Sequence, residues 1–122
     1  MAKPQDPSPA ASALFKKYLT DPPITAEEIR ERLKTYLDFV ARVAQVNPTV
    51  DESLGGRISE TLEQLLKVTP PEKFKYVQAA ARYFIEDEDA EADLVSAGGF
   101  DDDILVVNAV CHHLGHDELQ LT

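Results

Sequence analysis

Residues 25–46 read TAEEIRERLKTYLDFVARVAQV, and their spacing decides the fold class. Ile29, Leu33, Tyr36, Leu37, Val40, Val43 and Ala44 recur at helical intervals, so they share one face of an α-helix. Arg30, Glu31, Lys34 and Asp38 take the other face. Thr25 and Glu28 carry the capping-box signature, in which the threonine oxygen accepts an early backbone N–H and the glutamate reaches back. Asn47-Pro48 ends the run, because the residue before a proline is pushed out of helical geometry. The spacing predicts a helix over 26–46.

The same reasoning extends in both directions. Residues 1–9 hold three prolines among small and polar residues and read as a disordered leader, with a single helical domain over 10–122. Ala10–Leu19 suits a short helix with Leu14, Phe15, Tyr18 and Leu19 on one side, closed by Asp21-Pro22-Pro23. Leu14, Phe15 and Tyr18 could pack within the chain or form a homodimer contact. Asp51–Val68 carries Leu54, Ile58, Leu62, Leu65 and Leu66 at helical spacing. Gly55 and Gly56 each weaken its start by about 1 kcal/mol relative to alanine, which favours a start near Gly56, and the pair offers another backbone a close approach.

Thr69-Pro70-Pro71-Glu72 is the clearest helix start, with threonine as N-cap, proline in the first turn and glutamate completing the box. Phe74, Val77, Ala80, Ala81, Phe84 and Ile85 supply its apolar stripe. The last helix is expected to be capped by one of Asp101–Asp103, to continue through Ile104, Leu105, Val106, Val107, Ala109, Val110 and Leu114, and to stop at Gly115. Being apolar on nearly all sides, it is expected at the centre of the core. These elements define an all-α bundle of four to five helices with antiparallel neighbours and an acidic loop between the last two.

The bulk composition agrees. A chain of 122 residues is one domain and buries roughly two thirds of its unfolded surface, so its 43% hydrophobic content suffices for a core. One cysteine excludes an intramolecular disulfide framework and favours a reducing, cytoplasmic setting. No apolar run suits a membrane span or a signal peptide. The net charge of −10 is unevenly placed: up to Arg82 the chain holds 12 basic and 11 acidic residues, and from Tyr83 onward 11 acidic and no basic ones. That asymmetry argues against nucleic acid and anionic membranes, and points to cations or a basic protein segment as partners.

The charge concentrates in Tyr83–Asp103, YFIEDEDAEADLVSAGGFDDD, which has nine acids and no base. From Thr69 to about residue 113 the chain resembles the YkvA-like family, domain of unknown function 1232. In that family a helix ending in tyrosine and apolar residues is followed by Ser-Pro-x-Asp-x-x-Pro-Asp-x-x-Pro-x-x-Gly, an aromatic or apolar pair, Asp-Asp and a second apolar helix. Here Tyr83-Phe84-Ile85 matches the helix end, Asp89 and Asp93 the spaced aspartates, and Gly99 and Phe100 the glycine and aromatic. Asp102-Asp103 matches the closing pair, and Ile104–Val107 the following helix. Asp87, Ala92 and Ser96 stand where the family has proline, and Glu86 where it has serine, which leaves room for a helical turn in place of a stiff extended backbone. The resemblance supports the fold and locates a site, and implies no particular activity.

Three constellations carry candidate chemistry. Asp89, Asp93, Asp102 and Asp103 could supply oxygen ligands to Mg²⁺, Ca²⁺ or Mn²⁺, the structural alternative being helix and turn capping. An EF-hand is excluded: counting from Asp87, position 6 is Ala92 and position 12 is Gly98, where glycine and a bidentate glutamate are needed. His112 and His116, with Cys111 or Asp117 as a third ligand, could hold zinc, but Gly115 interrupts the helix between the histidines, and their place near its C-terminus is equally explained by the helix dipole. Cys111 itself continues an apolar run and reads as a buried structural cysteine. The sequence thus describes a non-catalytic binding protein whose acidic face, with Glu86, Asp87, Glu88, Glu91, Phe100 and Asp101, contacts a basic partner. A divalent-metal domain is the alternative, and a metal-dependent hydrolase built on the same acids a further one.

Overall fold

The computed structural model describes residues 7–85 and 100–121. They form an all-α bundle of five helices: α1 Pro9–Leu19, α2 Ala26–Val46, α3 Glu52–Val68, α4 Phe74–Ile85 and α5 Asp101–His113. Short 3₁₀ turns at Pro71–Lys73 and Asp117–Leu119 complete it. Of the leader expected over 1–9, residues 1–6 lie outside the described residues, and Pro9 already belongs to α1, because Ser8 caps that helix by accepting the N–H of Ala11 at 3.1 Å. Thr25 accepts the Glu28 N–H at 3.1 Å to open α2. Asp51 accepts the Leu54 N–H at 2.9 Å, so α3 starts at Glu52, ahead of both glycines. A cap of this kind is worth about 1 kcal/mol, enough to offset one helical glycine.

The short helix α4 lies at the centre and packs against all four others. Val77, Ala79, Ala80, Ala81 and Phe84 are buried along it, and its three consecutive alanines let neighbouring helices approach closely. The central place expected for the last helix therefore belongs to α4: in α5, Ile104, Leu105 and Ala109 remain partly exposed. Tyr18 is buried, and Leu14 and Phe15 pack against the same core from α1, so these side chains are used within the chain.

Two further helix starts differ from the sequence expectation. Thr69 ends α3, its N–H donating to Leu65 O at 3.0 Å, and Pro70 occupies the N-cap of the following turn without a side-chain capping bond. Proline holds the preceding threonine extended, and with α3 claiming its backbone the hydroxyl cannot serve α4. The Thr69 hydroxyl is buried with no hydrogen-bond partner among the described residues. Likewise Phe100, not an aspartate, is the N-cap of α5, and Asp101–Asp103 fill its first turn, where carboxylates complement the helix dipole. At the other end Gly115 takes φ +80° and closes a Schellman motif, with His116 N–H to Cys111 O at 2.8 Å and Gly115 N–H to His112 O at 3.1 Å.

Gly55 admits a ring, where a backbone approach was expected. A Cβ placed on it would lie 3.3 Å from Phe100 Cζ, whereas one on Gly56 would meet nothing within 4 Å. Gly56→Ala is therefore expected to stabilise the protein by up to about 1 kcal/mol through helix propensity. Gly55→Ala should gain less than that or destabilise, because the Phe100 ring must give way. Paired thermal and urea melts of the two variants check the contrast. Thr69→Val, which removes an unpaired buried hydroxyl while keeping the branched shape, is expected to raise stability by about 1 kcal/mol in the same melts.

Candidate functional site

The acidic loop expected between the last two helices lies at residues 86–99, outside the described residues; aromatic packing fixes the residues on either side of it, at the end of α4 and the start of α5. Phe84 is 1% exposed; its ring meets Tyr36 of α2 edge-on at 4.9 Å between centroids and Phe100 at 5.8 Å. Phe100 is itself buried and sits over Gly55 of α3. This takes Phe100 out of the contact surface where the sequence placed it: its apolar ring is worth more in the core than against a partner.

Glu86, Asp87, Glu88, Asp89, Glu91 and Asp93 lie outside the described residues. Of the candidates that are described, Asp101 and Asp102 are exposed, and Asp103 is buried. The first turn of α5 explains the division, since successive helical residues point about 100° apart and only one of the three can face the core. Asp102 and Asp103, the closing pair of the proposed metal set, thus face different surroundings. Among the described residues, no group of three or more histidine, cysteine or acidic side chains is arranged to hold a metal ion.

The Cys-His-His segment is accounted for residue by residue. Cys111 is fully buried, and burial above all, with the Glu118 and Asp117 carboxylates adding to it, pushes its thiol up to about 12. His112 Nδ1 lies 2.9 Å from Asp117 Oδ1, and His116 Nδ1 lies 3.2 Å from Glu118 Oε1. His113 packs against the Tyr76 ring at 4.5 Å. The Schellman turn at Gly115 separates His112 from His116, so the i, i+4 geometry needed for a shared ion is lost. The Glu118 carboxyl is held below its usual range by a backbone hydrogen bond and by His116.

Sequence reasoning passed over two amides that organise the surroundings. Gln78 of α4 is buried; its Oε1 accepts the Ile24 N–H at 2.9 Å and its Nε2 donates to Pro22 O at 2.8 Å, which fastens the α1–α2 link. Asn108 of α5 does the same for the C-terminal segment, donating to Leu121 O at 3.0 Å and accepting the Leu121 N–H at 2.7 Å. A lone amide inside an apolar run is the sequence signal for both.

No protein-family model matches the chain, and no curated protein or solved structure matches it. The likeness to the YkvA-like family accordingly rests on the residues quoted above.

The buried thiol gives a signed expectation. With its pKa raised from 9.0 to about 12, Cys111 stays protonated in the folded state where the unfolded chain ionises, so its contribution is complete below pH 9 and is lost as pH rises toward 12. Cys111→Ala should flatten the fall of stability with pH over that window, as read by urea melts. In native protein near pH 8, a thiol reagent such as dithionitrobenzoate should label Cys111 only as fast as the fold opens.

Proposed function

We propose that this chain is a binding module, without catalysis of its own, that docks a basic segment of another protein through the acids of residues 86–103. The carrying observation is the charge distribution: 11 acids and no base from Tyr83 onward, against 12 bases and 11 acids before it. The exposure of Asp101 and Asp102 on the first turn of α5 supports the reading, as do the buried Phe84 and Phe100 that hold the ends of the stretch. Glu86, Asp87, Glu88 and Glu91, with Asp101, are the residues assigned to the contact. A single cysteine fits a reducing, cytoplasmic setting. Among the described residues no helix is long and apolar enough to cross a membrane. The second reading, a divalent-cation site at Asp89, Asp93, Asp102 and Asp103, draws its support from the cost of crowding nine carboxylates without a counter-ion.

Titration of the full chain with a lysine-rich peptide separates the two. Affinity should fall steeply as salt rises from about 0.1 M to about 1 M, which shortens the screening length from roughly 10 Å to roughly 3 Å. Replacing Glu86, Asp87, Glu88, Asp89, Glu91 and Asp93 by their amides should weaken binding about tenfold or more with the melting temperature preserved. Salt-insensitive binding, or binding untouched by those replacements, overturns the docking proposal. The metal reading instead requires a rise in melting temperature with one of Mg²⁺, Ca²⁺ or Mn²⁺ that disappears in the Asp93→Asn, Asp102→Asn double variant.

A further inference from the structure

Beyond α5 the chain turns back on itself. Gly115 takes φ +80°, the one positive φ among the described residues, and the segment after it returns along the helix just left. Asp117 Oδ1 lies 2.9 Å from His112 Nδ1, and Leu121, four residues on, meets Asn108, four residues back. Asn108 and His112 stand at i and i+4 and so share one face of α5.

Asn108 holds Leu121 as a receptor holds the backbone of a bound peptide. Its Nδ2 donates to Leu121 O at 3.0 Å and its Oδ1 accepts the Leu121 N–H at 2.7 Å, so one side-chain amide satisfies both backbone groups of one residue. Gln120 is extended, with φ −61° and ψ 144°, and its Nε2 donates to Asn108 O at 3.3 Å. Leu119 and Leu121 lie half-buried against the core. Backbone bonds thus supply the grip and alternate leucines the selectivity, as in strand-like peptide recognition.

Among the described residues, the hydrogen bonds that 117–121 make outside their own segment all go to α5. A segment fastened to a single helix, with its leucines half exposed, opens more readily than the elements of the core. Opening at Gly115 leaves the Asn108 amide without partners, and a second copy carries the same segment. Remade across a twofold axis, each of these contacts is kept.

We propose that residues 117–121 exchange between two copies of this chain, the Asn108–His112 face of each holding the other's Asp117–Leu121 segment. Within one chain the short turn gives the segment an effective concentration of about millimolar, so the closed monomer prevails in dilute solution. The turn at Gly115 is the control point. A Cβ there would meet nothing within 4 Å, so a side chain at 115 acts through the positive φ alone. It strains the closed turn, and the exchanged form, in which that turn is straightened, is spared.

Analytical ultracentrifugation of the full chain from about 10 μM to about 1 mM tests the exchange. The natural sequence should dimerise only toward the upper end. Gly115→Val should favour the dimer about tenfold or more, with Gly115→Ala as the milder variant should valine prevent folding. Adding Asn108→Leu to either should return the monomer. In a dimer formed from isotope-labelled and unlabelled chains, filtered NMR should show the Leu121 N–H of one copy beside the Asn108 side chain of the other. Monomer throughout for both Gly115 variants, a dimer that survives Asn108→Leu, or no Asn108–Leu121 contact between copies overturns the proposal.

Discussion

The contact between Phe84 and its neighbours is the one on which the remainder depends. Its ring, at 1% exposure, joins α4 to Tyr36 of α2 and to Phe100 at the head of α5, while Phe100 in turn settles over Gly55 of α3. Four helices are thus tied at one end of the bundle through a chain of ring contacts. Truncating a buried phenylalanine costs about 3–5 kcal/mol, a large part of the whole stability of a domain this size. The same contact brings the two ends of the acidic stretch to one place on the molecule, so the core and the candidate site share a foundation.

Around that apolar centre, α4 fixes the link between α1 and α2 with polar groups. Gln78 satisfies both backbone partners at Pro22 and Ile24, and one turn later Arg82 pairs with Asp21 and lies 4.7 Å over the Tyr18 ring. Two prolines make this link stiff and poor in donors, so a side-chain amide supplies what backbone pairing cannot. Asn108 plays the corresponding part for the C-terminal segment, which returns Leu119 and Leu121 to the core. Burial of that cysteine explains both its high pKa and its unsuitability as a nucleophile.

The candidate site was legible as composition and only partly as geometry. Nine acids without a base can be counted in the sequence, and the exposed Asp101 and Asp102 agree with a solvated, charged helix start. The inward turn of Phe100 and Asp103 was not legible, because which of several consecutive residues faces a core depends on the rotation of the helix about its axis.

What the sequence by itself determined was local: four to five helices with their periodicity, the caps at Thr25 and Gly115, the burial of Cys111 and the lopsided charge. Each depends on side chains within a turn or two of one another, whose interactions the chain carries with it. Tertiary structure alone decided which helix is central, which proline-flanked threonine caps nothing, and which glycine receives a ring. A hydrophobic stripe states that a face will be buried but not against what. Alanine-rich α4 took the centre over α5 because close approach of several helices requires small side chains at the crossing.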